Sequence, residues 1–185
     1  MDPRIPRWAK TLVGYCLHVQ PGQMLVIDAT PLAEELVAEV YRETLRAGGH
    51  PVVRIGLASL DEIALREGSD DQLAWISPGD RALLEHLDAS LRIGGEANTR
   101  QLAAIDPQRL AVRQRAAREL GRLRQHGPNG EERPWCLTLF PTEGYAQDAS
   151  MSLADFQEFV YEACLLNSDD PAARWRELGE RQQVY

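Results

Sequence analysis

Lysine is almost missing from this chain. Lys10 is the only one, and arginine carries the rest of the positive charge. With 20 basic residues against 28 acidic ones, the formal net charge is −8. Such a balance repels phosphate backbones on average and argues against nucleic acid as a partner. No apolar run approaches the ~20 residues that a membrane span requires. The opening residues, Met1-Asp-Pro-Arg-Ile-Pro-Arg7, lack the apolar stretch of a signal peptide. These absences predict a cytoplasmic protein that engages neither membrane nor nucleic acid. Cysteine is scarce too. Cys16, Cys136 and Cys164 are far apart, odd in number and never in a C-x-x-C pair. A zinc knuckle or a vicinal redox motif is therefore unsupported, and buried free thiols are expected.

The common catalytic signatures are also missing. There is no G-x-G-x-x-G fingerprint, no P-loop and no G-x-S-x-G nucleophile elbow. His18, His50, His86 and His126 include no i, i+4 pair that would aim two imidazoles at one metal. Asp28 ends an apolar run, as a phospho-acceptor does. A receiver domain would also need a lysine at a later strand end, and a dehalogenase-type phosphatase a second aspartate where Thr30 stands. Asp28 is therefore expected to cap or hydrogen-bond local backbone.

What is present is the pattern of an α/β domain. The 185 residues are 44% hydrophobic and 26% charged, enough to bury a core without disulfides or metal. Ile5, Trp8, Leu12, Cys16 and Val19 recur at helical spacing. Residues 23–28 form a strand-length apolar run, Thr30-Pro31 reads as an N-cap with proline at the first helical position, and Leu32, Leu36, Val37, Val40, Tyr41 and Thr44 share one helix face. Gly48-Gly49 ends that helix, and residues 51–57 are a second strand. Strand, helix and strand within about 35 residues make a βαβ unit, for which a right-handed parallel crossover is the default.

Further along, two short helices open at Ser69-x-x-Gln72 and at Ser77-Pro78, and residues 88–93 read as a third strand. Asp106-Pro107 starts a long helix to about Gln125, followed by the turn Gly127-Pro-Asn-Gly130 and a fourth strand over 134–140. Ser152-x-x-Asp155 starts a helix with Leu153, Phe156, Val160 and Ala163 inward, and Asp170-Pro171 starts a last one bearing Trp175 and Leu178. The predicted fold is an open, mostly parallel sheet of four or more strands, flanked by helices, with a helical C-terminal segment. Val184-Tyr185 stand in helical pattern with no breaker, which predicts that the sequence continues.

Ligands in such sheets lie at the carboxyl ends of the strands. The turns to search are Asp28–Thr30, Gly56–Ser59, Gly94–Asn98 and Pro141–Gln147. They offer Asp28, Glu96 and Glu143 as carboxylates but no histidine, a poor basis for an independent small-molecule enzyme. Gly94-Gly95 reads as close backbone packing. The arginines of the long helix, Arg109, Arg113, Arg115, Arg118, Arg122 and Arg124, read as a solvated face paired with neighbouring carboxylates.

Several ordered stretches nevertheless resemble one family, the thermophilic metal-dependent aminopeptidases typified by aminopeptidase T and aminopeptidase S. They are Gly22-Gln-Met-Leu-Val-Ile27, Ala47-Gly-Gly-His-Pro51, Ser69-Asp-Asp-Gln-Leu73, Asp106-Pro-Gln-Arg-Leu110, Trp135 to Thr142, Ala146 to Leu153, Phe156 to Cys164 and Asp170 to Trp175. Three positions depart from the family pattern: Tyr145 replaces a tryptophan, Ser150 a glycine, and the Gly94-Gly95-Glu96 turn is atypical. The resemblance implies a dimeric, two-domain subunit that releases N-terminal residues from peptides. It implies two divalent ions of zinc, cobalt or magnesium type in a second domain, and none of the family's ligand positions within residues 1–185. This chain would then be the non-catalytic N-terminal domain, inactive alone, with Glu96, Asn98, Thr142, Tyr145 and Gln147 expected to line the substrate cleft. The alternative is a stand-alone oligomerisation or interaction module.

Overall fold

A computed structural model describes residues 2–182; Val184 and Tyr185 lie outside the described residues. Strand β1 (Met24–Ala29) sits at the centre of a four-stranded sheet of order β2-β1-β3-β4, with β2 (His50–Ile55), β3 (Ala89–Gly94) and β4 (Trp135–Leu139) all parallel to their neighbours. Leu25, Val26 and Ile27 are fully buried. Their unbroken apolar run is what a strand covered on both faces requires, because alternate side chains enter two different cores.

The odd-numbered face of β1 (Leu25, Ile27, Ala29) joins Leu91 and Ile93 of β3 in the main core. Helix α1 (Arg4–Lys10), helix α2 (Glu34–Arg46) and, after the short helices α3 (Ala58–Glu67), α4 (Asp70–Ala74) and α5 (Pro78–His86), the long α6 (Pro107–His126), α7 (Glu143–Asp148) and α8 (Leu153–Ala163) complete the layers. α1, α2 and α8 cover the first face with Ile5, Trp8, Leu36, Val40, Phe156, Val160 and Tyr161. α5 and α6 cover the second face, where Leu84, Leu87 and Leu123 meet Val26. α3, α4 and the start of α6 share a smaller cluster around Leu65, Leu73 and Ile105. α9 (Pro171–Gln182) follows at the end, with Trp175 Nε1 donating to the Cys164 carbonyl at 3.3 Å.

Several local readings change. The first helix is α-helical only to Lys10 and widens into a π-helical segment over Thr11–Cys16. Val19 lies beyond it yet is buried. Thr30 caps nothing with its side chain, and Pro31–Ala33 form a 3-10 turn before α2. Leu32 and Tyr41 are exposed, and Thr44 with Glu39 takes buried positions on α2. Ala163 and Leu178 are exposed as well. α3 has no counterpart in the periodicity, because it buries only Leu65 and leaves Leu60 and Ile63 in solvent. The Ser69 capping box, by contrast, forms with both of its reciprocal hydrogen bonds.

Candidate functional site

The sheet reverses its winding between β1 and β3, where doubly wound folds place their ligands. Here that crevice is closed. Thr30 Oγ1 donates to the Gly95 carbonyl at 2.5 Å. A Cβ at Gly95 would stand 2.8 Å from the same hydroxyl, and one at Gly94 would stand 2.8 Å from Leu139 Cδ2. Both glycines serve close packing, and the atypical turn has a steric reason.

The next crevice, between the ends of β3 and β4, is open. It holds a cleft of about 350 Å³ lined by Ala97, Asn98, Thr99 and Arg100 from the loop after β3 and by Gly144, Gln147 and Asp148 from α7. The two walls are joined by Thr142. Its hydroxyl donates to the Glu96 carbonyl at 2.6 Å, and its oxygen accepts from the Tyr145 amide at 3.5 Å, capping α7. Gly144 lets the walls meet, since a Cβ there would lie 2.6 Å from the Glu96 carbonyl oxygen. Across the cleft, Thr99 Oγ1 donates to Asp148 Oδ2, and Arg100 Nη2 stands 3.8 Å from Asp148 Oδ1. Asn98 Oδ1 accepts from the Arg100 amide at 3.0 Å and shapes the turn.

Of the five expected residues, Asn98 and Gln147 therefore line the cleft. Thr142 and the Glu96 backbone build its floor. Tyr145 packs its ring 6.5 Å from that of Phe156 and lies outside the lining, and burial pushes its phenol above the ordinary value. Thr99, Arg100 and Asp148 were not singled out in the sequence. Their signal is weak, because polar residues are common in loops and only the register of α7 against the β3 loop brings them together.

Asp28 is corrected. Instead of capping local backbone, it pairs with Arg54 Nε at 3.3 Å and closely with Arg124 of α6. Arg54 also reaches Asp80 at 3.3 Å. The parallel register places Asp28 opposite Arg54, so two charges interrupting two apolar strands were the readable clue. Among the α6 arginines, Arg109 donates to the Leu65 carbonyl at 2.6 Å and to that of Gly68, fastening α3 to α6. Arg113, Arg115, Arg118 and Arg122 are exposed, as are all four histidines. The cysteines are half-buried rather than fully buried.

Chemically, the cleft offers amides, hydroxyls, one carboxylate and one guanidinium. That set can bind and orient a polar chain, but it pairs no nucleophile with a base. Among the described residues, no three His, Cys, Asp or Glu side chains converge as metal donors. The cleft's single carboxylate already accepts from Thr99 and faces Arg100. Its residues do not fit a pair of divalent ions, and no step through metal follows from this chain.

Fold and site define a doubly wound α/β domain with a polar cleft beside its switch point and, among the described residues, no cluster of metal donors. The chain belongs to the thermophilic metalloprotease (M29) family, whose model matches residues 1–185. It is 26% identical over 192 aligned residues to Aminopeptidase 2 of Geobacillus stearothermophilus, covering 97% of this chain and 46% of that protein. Its fold matches wild-type AmpT from Thermus thermophilus with a TM-score of 0.68 and 18% identity, over 86% of this chain and 42% of that one. The chain thus spans less than half the length of either relative. Among the described residues, no helix is long and apolar enough to cross a membrane.

Proposed function

We propose that this chain is the N-terminal, non-catalytic domain of a metal-dependent aminopeptidase. In this reading its β3–β4 cleft forms part of the wall of the substrate cavity, and a second domain carries the two metal ions. The observation that carries it is a family match over the whole chain, joined to the absence of converging metal donors among the described residues. Asn98, Gln147 and Asp148 are the groups placed to hydrogen-bond a peptide main chain or its ammonium end. Glu96, Thr142 and Tyr145 hold them in place from behind. Dimer formation is a further part of the proposal, and the exposed apolar residues Trp135, Leu137 and Leu139 of edge strand β4 supply a surface for association.

The test uses this chain joined to a second half of the kind its relatives possess. Asn98→Ala and Gln147→Ala should each raise KM for peptides several-fold and leave metal content unchanged. Unaltered kinetics in both variants would remove the cavity-wall role. The same apolar edge also favours a second reading, a self-associating module without catalysis. Light scattering across a concentration series bears on both: a strict monomer at all concentrations excludes the module and removes dimer formation from the first reading, while its cavity-wall role is tested by the kinetics alone.

A further inference from the structure

The three cysteines, distant in sequence, converge in space. Cys16 ends the π-helical segment that packs against β4, and Cys136 lies on β4 opposite Leu91, on the side of the main core. Cys164 caps the end of α8. All three border the same core cluster, and all are half-buried. The Cys16 and Cys136 thiols are neighbours, the Cys136 sulfur also donating weakly to the Leu137 carbonyl at 3.9 Å, and Cys164 lies close enough to feel the charge on Cys136. The aminopeptidase reading makes no use of this cluster, and it holds no three-donor metal arrangement.

We infer that Cys136 and Cys16 form a reversible dithiol–disulfide pair, oxidised by hydroperoxides, that ties the first helical segment to edge strand β4. The roles are unequal. The neighbouring Cys16 thiol lowers the Cys136 thiol from its ordinary value against the opposing effect of burial, and the Cys136 sulfur together with burial holds the proton on Cys16. The thiolate is the nucleophile, so Cys136 reacts first. It attacks one peroxide oxygen; the O–O bond breaks, a Cys136 sulfenic acid forms, and the departing hydroxide takes a proton and leaves as water. Cys16 sulfur then attacks the sulfenic sulfur. The S–S bond forms, the S–O bond breaks, and the hydroxide leaves with the Cys16 proton as a second water. Two electrons pass from the two thiols to the peroxide, and an external dithiol returns them by exchange. Burial pushes the Cys164 thiol up, and it stays reduced.

The experiment treats the purified, reduced protein with stoichiometric hydrogen peroxide and maps thiols and disulfides by maleimide labelling and peptide mass analysis. The expected result is loss of two of the three reactive thiols, an intrachain Cys16–Cys136 peptide and recovery of both thiols with dithiothreitol. Cys164→Ser should leave this unchanged, Cys136→Ser should abolish it, and Cys16→Ser should let a dimedone-trapped Cys136 sulfenic acid accumulate. Three thiols surviving oxidation, a disulfide through Cys164, or an interchain link would each overturn the proposal. The map of the unsubstituted protein decides the matter even if a serine variant fails to fold.

Discussion

The two faces of the sheet are built on different principles. The face under α1, α2 and α8 is almost wholly apolar, with Leu25, Ile27, Leu36, Val40, Leu91 and Tyr161 at or near full burial. The face under α5 and α6 has a small apolar patch around Val26, Leu84 and Leu123. Beside it, Asp28, Arg54, Arg124 and Asp80 form an ion-pair network. Trp135 and Leu137 of β4 lie on this second side with more than half of their surface exposed (54% and 57%). The first face stabilises the fold through area removed from water. The second trades apolar contact for charge and leaves an edge open.

The comparison can be broken by substitution. Leu25→Ala on the first face should cost about 3–5 kcal/mol, because a fully enclosed site cannot collapse around the cavity. Chemical denaturation measures it, and an equal cost for Leu123→Ala would erase the difference between the faces. Asp28→Asn should cost about 1–2 kcal/mol, since it strands two guanidinium groups that are only partly screened. Added salt should shrink that loss, while the Leu25 loss should not fall with it.

A smaller effect sits at the rim of the first face. Arg4 bonds Asp2 and Glu158 and lies 4.2 Å from the centroid of the Tyr161 ring. Its guanidinium holds both carboxyls below their ordinary values of 3.8 and 4.5. A depressed carboxylate contributes stability that is complete above its unfolded value and is lost as pH falls through the folded one. Arg4→Met should therefore be less stable than the parent at neutral pH, and the gap between melting curves should start to close below pH ~4 and vanish only below the depressed folded values, apart from about 1 kcal/mol of ring contact. The smallest effect is a gain. Ser150 has φ +55°, a left-handed conformation at the end of α7. Ser150→Gly should stabilise by roughly 0.5 kcal/mol, the relief of that strain less glycine's greater freedom when unfolded.

The strands and most helix starts were legible because the apolar runs at 23–28 and 88–93 and the caps at Ser69, Asp106 and Ser152 encode local structure directly; the strand order was not, since it is set by packing between distant segments. Ser150, noted in the sequence only as replacing a glycine, proves to be left-handed with φ +55°, a conformation the sequence reading did not assign. α3 and α7 were not legible: one lacks an amphipathic face, and the other is a single capped turn whose sense depends on Gly144 meeting the Glu96 carbonyl. The cleft shares that limit. Asn98 and Gln147 could be chosen by position at strand ends, but Thr99, Arg100 and Asp148 come together only through packing. The cysteine cluster joins three distant segments, which no spacing rule detects.

The central claim is that recognition surface and scaffold reside here while the reaction centre does not. Its most direct test is hydrolysis of aminoacyl-nitroanilides by the purified 185-residue chain, supplied in turn with zinc, cobalt and magnesium, with bound metal measured after dialysis. No turnover above buffer and no retained stoichiometric metal are predicted. Metal-dependent release of nitroaniline by this chain alone would contradict the account.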